Sequence, residues 1–280
     1  MKIGLSNLQF PRIPVEEAIK RVAELGADCI EIVFDVPHFP PKFDMKKLRG
    51  LRRLINSHGL DVSVHSSVWD INAASYYGPI RSLTMKQIKR SIDACGILEG
   101  DIVVVHPGRC PMPEMDKLLS MAKKWFIDLT SECLNYAKKR DIKLTLENFS
   151  LLANYPYSHP KEMVALARKL GGLGITFDIG HAYLGKHMER MIAPEQKIAS
   201  EIKLVREYLT HVHIHDNHGE KDEHLPPGEG DINFKPIMRA LKEINYGGRL
   251  ILELWRPRLK RPMEVGRIGL KNTRELLKTS

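Results

Sequence analysis

Two short apolar runs, KLTLENF at residues 143–149 and GITFDIG at residues 174–180, flank a segment near residues 159–170 with helical periodicity. Each run has the length and the apolar, partly β-branched content of a buried strand. A strand, a helix and a second strand in this order predict two parallel strands joined by a helical crossover. This βαβ unit is the pattern from which the fold class follows.

The same alternation of strand and helix continues in both directions from this unit. Strand-like runs occupy residues 2–8, 29–35, 61–67, 102–108, 143–149, 174–180, 211–217 and 248–255. Helical periodicity occurs near residues 14–25, 44–58, 81–97, 115–140, 159–170, 196–208, 233–244 and 263–278. Eight strand–helix units favour a closed barrel over an open sheet, and no linker or low-complexity tract divides the chain. We therefore predict the α/β class, with a single (β/α)8 TIM barrel domain over residues 1–280.

The composition is that of an ordinary globular protein, with 280 residues, 43% hydrophobic and 28% charged. No apolar run approaches the roughly 20 residues that span a bilayer, and the N-terminal MKIGLSNLQF lacks the features of a signal peptide. We expect a cytoplasmic protein without a membrane segment. The cysteines form no CxxC pair, which argues against a zinc knuckle and a disulfide framework; we expect buried thiols at Cys29, Cys95, Cys110 and Cys133.

The chain is basic, because 43 lysines and arginines exceed 34 aspartates and glutamates and give a net charge of +9. A net positive charge is compatible with an anionic partner, either a phosphorylated small molecule or a nucleic acid. Most basic residues fall on predicted helix faces, where solvation explains them. The better candidate for an anion site follows the last strand and consists of Arg256, Arg258, Lys260 and Arg261.

Side chains that bind metals stand at or after the ends of predicted strands three to eight. In a barrel of this kind these strand ends share one face, where active sites are built, and residues at alternate positions point into the barrel mouth. A single histidine or carboxylate at such a place is more often structural, so the prediction depends on the set. Its members are His65, His106, Glu147, Asp178, His181, His213, Asp222, His224 and Glu253.

Burying Glu147, Asp178 and Glu253 close together would be costly without cations. We therefore predict that divalent metal ions bind at the barrel mouth. Carboxylates and imidazoles without thiolates suit Zn, Mn, Fe or Co better than Ca. Zinc or manganese is the expected metal, with one to three ions.

Polar neighbours of these ligands are candidates for orienting them or for binding substrate. In HVHIHD (211–216) the alternation of side chains places His211, His213 and His215 on one face. Asn148, His215 and Asp216 are candidates for orienting the metal ligands. The residues that we predict to bind substrate are Trp69, Asn148, His215, Trp255 and Arg256.

Nearly the whole chain resembles the xylose isomerase-like TIM barrel superfamily, which includes sugar and sugar-phosphate isomerases and epimerases and endonuclease IV of AP endonuclease family 2. The resemblance depends on short motifs whose order and positions at strand ends make them specific. They are VHSS (64–67), VVHPG (104–108), LEN (146–148), FDIGHA (177–182), HVHIHD (211–216), DEHLPPGEGDI (222–232) and LEL (252–254). Relatives of this type are often dimers or tetramers, so a homo-oligomer is compatible with it.

The resemblance implies two sets of metal ligands. The epimerase branch holds one catalytic metal with four ligands, which map onto Glu147, Asp178, His213 and Glu253. Endonuclease IV holds three zinc ions with these four and further ligands, whose positions match His65, His106, His181, Asp222 and His224. Because all of these residues are present, the resemblance leaves both branches open.

The first hypothesis is a metal-dependent isomerase or epimerase of a sugar or sugar phosphate, acting by proton transfer through a metal-stabilised enediolate. Glu147 and Glu253 would be both ligands and the catalytic acid/base pair. An apolar wall over the sugar would come from Trp69, Phe149 and Trp255, and a phosphate would bind Arg256 or Arg258.

The alternative hypothesis is a zinc-dependent AP endonuclease acting on abasic DNA, in which Glu147 bridges metal ions. The number of ligands and the positive charge favour it. The loops disfavour it, because ENFSLLANYPY (147–157) and HIHDNHGEKDEH (213–224) depart from the endonuclease IV pattern. Val68 also stands where that enzyme has a tyrosine. We therefore favour the sugar enzyme.

Overall fold

The chain forms a closed barrel of eight parallel strands in sequence order. We describe it from a computed structural model that covers residues 1–149, 155–188, 190–254 and 261–280, with the backbone alone for residues 187 and 188. The strands are β1 (Lys2–Ser6), β2 (Cys29–Val33), β3 (Asp61–His65), β4 (Ile102–Val105), β5 (Lys143–Glu147), β6 (Gly174–Asp178), β7 (Leu209–Ile214) and β8 (Arg249–Leu252). The predicted fold class is confirmed, and every predicted run overlaps a strand.

Helices follow the strands and cover the outside of the barrel. They are α1 (Val15–Glu24), α2 (Leu48–Ser57), α3 (Gly78–Ile97), α4 (Asp116–Lys138), α5 (Pro160–Leu170), α6 (Ile179–Met188), α7 (Pro194–Val205), α8 (Phe234–Glu243) and α9 (Pro262–Thr279). Eight of these match the predicted helices. The exception is α6, which begins directly after Asp178 inside the run predicted as strand 174–180. Because α6 is buried around most of its described circumference, it has no polar face and no amphipathic pattern to detect.

The strand registers place the metal-ligand candidates at one level of the barrel. Asp178 in β6 pairs with His213 in β7, and the amide of Glu253 donates to the carbonyl of Ile214 in β7. Below this level the barrel interior carries polar side chains, all completely buried: Glu31, Ser63, Thr145, Thr176 and His211. The floor of the barrel mouth is therefore polar, whereas the packing between strands and helices is apolar.

The four cysteines are free and buried, as predicted. Burial raises the pKa of Cys29, Cys95 and Cys133 to about 12, so these thiols stay protonated and unreactive at neutral pH. Among the described helices, none combines the length and the apolar character that crossing a bilayer requires.

Candidate metal centre

Four ligand candidates from β5 to β8 meet at the barrel mouth, and we call them the primary cluster: Glu147, Asp178, His213 and Glu253. Their ligand atoms all lie within 4.8 Å of one another. His213 Nδ1 lies 3.2 Å from Glu147 Oε1 and 3.3 Å from Glu253 Oε1. The structure thus brings together the four residues that the family resemblance implied for a single metal.

The primary cluster fits a divalent cation. It combines three carboxylates with one imidazole, and that much negative charge in a buried place needs a cation for balance. Asp178 Oδ2 is buried and finds no hydrogen-bond partner within the described residues, although it lies 3.9 Å from His213 Nδ1. A buried carboxylate oxygen without a hydrogen-bond partner needs another source of stabilisation, and a bound cation would supply it. Oxygen and imidazole donors suit Zn or Mn.

Glu147 is shared with a second group, the β3–β4 cluster, which consists of His65, His106 and Glu147. Glu147 Oε2 lies 3.2 Å from His65 Nε2 and 3.1 Å from His106 Nε2, while its Oε1 faces His213. His65 Nδ1 lies 2.9 Å from the carbonyl oxygen of Ser66, which favours the Nδ1–H tautomer and turns Nε2 toward the cluster. The two oxygens of Glu147 therefore face two different groups of ligand candidates.

A third group, the loop cluster, joins α6 and β7 to the loop after β7 and consists of His181, His215, Asp222 and His224. Asp222 Oδ2 lies 3.1 Å from His224 Nε2 and 3.5 Å from His181 Nε2. His215 Nε2 lies 3.7 Å from Asp222 Oδ1. Three imidazoles and one carboxylate make four donors, the number that a closed zinc site uses.

The charges of these clusters support one another. Burial opposes ionisation of Glu147, but His213 and His106 outweigh it and hold the pKa of Glu147 well below its ordinary value. In the same way, His181 and His215 overcome the effect of burial and lower the pKa of Asp178 to about 2. Burial alone would lower the pKa of His213, but its carboxylate neighbours outweigh burial and raise this pKa well above the ordinary value. Glu147 and Asp178 are thus ionised, and a metal ion can take the place of the protons that the imidazoles share with them.

Glu31 in β2 is a functional residue that the sequence analysis missed. Its completely buried carboxylate lies 3.0 Å from His213 Nε2 through Oε1. Its Oε2 lies 2.9 Å from His211 Nε2 and accepts a hydrogen bond from Ser63 Oγ. Glu31 therefore holds the far edge of the His213 ring, so that Nδ1 faces the primary cluster. A glutamate between two isoleucines in CIEIVFD (29–35) was the available signal.

Two of the polar neighbours that we predicted act on backbone groups. The Asn148 side chain accepts from the amide of Asp178 at 2.7 Å and donates to its carbonyl at 2.8 Å, which fixes the end of β6. The Asp216 carboxylate accepts backbone N–H groups of Gly228, Gly230 and Ile232, and so shapes the loop that carries the ligands after β7. Burial is the main cause that raises the pKa of Asp216.

The other substrate-binding candidates have different outcomes. Trp69 is 38% exposed and lines the cavity above the clusters. Trp255 and Arg256 lie outside the described residues, as do Arg258 and Lys260. Arg261 is described, and its guanidinium pairs with Glu264 at 3.2 Å on the surface.

A cavity of about 820 Å³ opens above the three clusters. Glu253 faces it and is 6% exposed, whereas Glu147 is completely buried beneath the histidines. The lining from the metal side consists of His65, His106, His181, Asp222, His224 and Glu253. Phe149 and Tyr155 continue this lining with aromatic rings. A small molecule in the cavity would meet Glu253 directly and would reach Glu147 only at the metal site.

Comparison with known proteins agrees with this architecture. The model of the xylose isomerase-like TIM barrel family matches residues 19–277. An uncharacterized protein of Methanocaldococcus jannaschii is 32% identical over 255 residues, which are 90% of this chain and 83% of the relative. Fructoselysine 3-epimerase of Shigella flexneri is 24% identical over 99% of this chain and 98% of its own.

A solved structure described as a D-tagatose 3-epimerase-like protein superimposes with a TM-score of 0.82 at 29% identity, covering 99% of this chain and 98% of that one. Sugar epimerases thus occur among both the sequence relatives and the structural neighbours. Given the barrel, the ligand candidates at its strand ends and a family match over residues 19–277, the chain belongs to the xylose isomerase-like TIM barrel family.

Proposed function

We propose that this protein is a divalent-metal-dependent epimerase or isomerase that acts on a sugar or a sugar derivative. The observation that carries the proposal is the primary cluster, which presents Glu253 to a cavity large enough for a sugar. The named relatives support the same chemistry, since they include fructoselysine 3-epimerase and 3-dehydro-D-guloside 4-epimerase.

Within this proposal, the four residues of the primary cluster would hold a metal ion, and the bound ion would polarise the sugar's oxygens and make the neighbouring C–H more acidic. Glu253 and Glu147 then form the acid/base pair that removes the proton and returns it. Glu253 meets the substrate from the cavity side. Glu147 lies against His213, His65 and His106, and the histidines around it hold the pKa of its carboxylate well below the ordinary value, so that it stays ionised.

We further propose that zinc or manganese occupies the primary cluster, and that the loop cluster holds an additional ion. The four donors of the loop cluster are all supplied by the protein, and all but Asp222 are buried. An ion bound by four protein ligands would stabilise the fold around His181 and the loop after β7, rather than bind substrate.

Replacement of Gly180 by alanine tests the loop cluster. A Cβ at Gly180 would lie 2.1 Å from the His215 ring, so the ring must move away from its partners. We expect Gly180→Ala to lose the loop-cluster ion and to lower the melting temperature, with metal content per chain measured by mass spectrometry. Gly96→Ala is the control, because its Cβ would meet Ile142 at an ordinary 3.7 Å. An unchanged metal content in Gly180→Ala would contradict an ion at this place.

The endonuclease alternative is favoured by one specific observation. Glu147 is shared between the primary cluster and the β3–β4 cluster, and the loop cluster adjoins both, an arrangement that suits several ions acting on one phosphate. The cavity weighs against it, because aromatic and aliphatic side chains rather than a row of cations form much of its lining.

The two functions are separated by assaying the metal-loaded protein for both activities. We expect deuterium from D2O to enter D-tagatose, D-psicose or D-fructose at a carbon next to the carbonyl, as followed by NMR, and a chelator to stop the exchange. The parallel assay uses a duplex with one abasic site. Incision of that duplex without any deuterium exchange would replace the sugar hypothesis with the nuclease.

A further inference from the structure

The cavity has two chemically different sides. The floor consists of the imidazoles and carboxylates of the metal clusters. The opposite side, which we call the outer wall, is built by the segments after β3 and β4 and by the start of α3. Its apolar members are Val68, Trp69, Ile71, Tyr76, Tyr77, Ile80, Pro107 and Pro111.

The outer wall presents large apolar surface to solvent. Tyr77 is 72% exposed and Trp69 is 38% exposed, and both line the cavity. Aromatic side chains with this exposure at the mouth of a cavity are typical of a binding surface, because their apolar area is not used for the core.

Hydrogen bonds hold the outer wall in place. Asp35 Oδ2 accepts the backbone N–H groups of Val68 at 2.8 Å and Trp69 at 3.0 Å. Asn72 joins the two segments, since its amide donates to the Arg109 carbonyl at 2.8 Å and accepts from the Arg109 amide at 2.8 Å. A wall fixed in this way loses little conformational entropy when a ligand binds against it.

The outer wall offers few polar groups to a ligand. The Asn72 amide is engaged in the bonds to Arg109, and the Tyr76 hydroxyl lies 3.6 Å from Cys110 Sγ. Asp70 and Arg109, the charged residues on this side, are exposed to solvent. Apart from Asp70 and Arg109, sugar hydroxyls buried here would find few hydrogen-bond partners, at a cost in binding energy. The wall therefore suits an apolar group rather than a second sugar.

The size of the cavity agrees with this chemistry. About 820 Å³ lies in the upper part of the range of ~300–1,000 Å³ that holds drug-sized ligands, more than a monosaccharide fills. Building on the proposed function, we infer that the substrate is a keto sugar carrying an aromatic substituent, with the sugar over the metal clusters and the aromatic ring against the outer wall.

Two glucosides that differ in their substituent test this inference without requiring turnover. We expect phenyl β-D-glucopyranoside to bind the metal-loaded protein at least about tenfold more tightly than methyl β-D-glucopyranoside in calorimetric titrations, because the phenyl ring removes more apolar area from water. Tyr77→Ala should reduce this ratio by about threefold or more. Tyr77→Phe should retain it, since the ring is kept. Leu83→Ala, an exposed apolar residue of α3, is the control.

Two outcomes would overturn the inference. The first is that the phenyl glucoside binds no more tightly than the methyl glucoside. This outcome includes the case in which neither glucoside binds detectably. The second is a Tyr77→Ala variant with an unchanged ratio and an altered oligomeric state in sedimentation, which would make the outer wall a contact with a second copy of the chain. Deuterium exchange with unsubstituted ketoses is scored separately. If deuterium exchange occurs but the phenyl glucoside is not preferred, the aromatic substituent is rejected and the proposed epimerase function is retained.

Discussion

Glu253→Gln is expected to lower the rate of deuterium exchange into a ketose by roughly 10²–10⁴-fold, the contribution of one general acid–base group. The amide has nearly the shape of the carboxylate but cannot accept the substrate's proton. Glu253 is the suitable residue to change, because it faces the cavity while its Oε1 lies only 3.3 Å from His213 Nδ1. The exchange rate is measured by NMR, with the metal content of the same sample determined in parallel.

Metal loss is the competing explanation for such a result, since Glu253 is also a ligand candidate. The variant is therefore assayed over a series of manganese concentrations until its rate no longer rises. A defect that persists at saturating metal assigns proton transfer to Glu253, whereas full recovery would limit its role to metal binding. Glu229→Gln, an exposed carboxylate in the loop after β7, should leave exchange unchanged.

The sequence was sufficient to predict the barrel and the meeting of the ligand candidates at its mouth, because both follow from simple periodicities. Parallel strands end at one face, and side chains alternate along each strand, so residues such as Asp178 and His213 had to meet if the strands were assigned correctly. The grouping of the ligands was harder to foresee. His215 joins the loop cluster because the loop after β7 folds back, which the Asp216 carboxylate enforces through backbone bonds.

Two features could not be predicted from the sequence, and each has its own physical reason. Helix α6 has no polar face, so its periodicity is not visible. Glu31 is separated by 180 residues from His211, and nothing in CIEIVFD (29–35) identifies the strand that receives its carboxylate. The contact between Glu31 and His211 can be recognised only when β2 and β7 are placed around the same barrel axis.

Glu31→Gln should weaken metal binding by about 10–100-fold, the usual effect of losing a group that orients a metal-bound histidine. Oε2 of the carboxylate accepts from His211 and Ser63, and Oε1 lies 3.0 Å from His213 Nε2, so each oxygen faces a polar partner. An amide offers one acceptor oxygen and places a donor against one of these groups. The His213 ring would then lose the contact that aims Nδ1 at the primary cluster.

Any buried carboxylate can lower stability when it is neutralised, so a matched variant is needed to separate orientation from folding. Glu201→Gln serves this purpose, because Glu201 is also buried and is paired with Lys186 at 2.6 Å on the outer helices. Both variants should lower the melting temperature of the metal-free protein. The metal dissociation constant, measured by competition with a chelator, should rise in Glu31→Gln alone. A carboxylate that orients His213 must affect the binding of the ion that His213 holds. Equal metal affinities in the two variants would therefore show that Glu31 contributes only to packing.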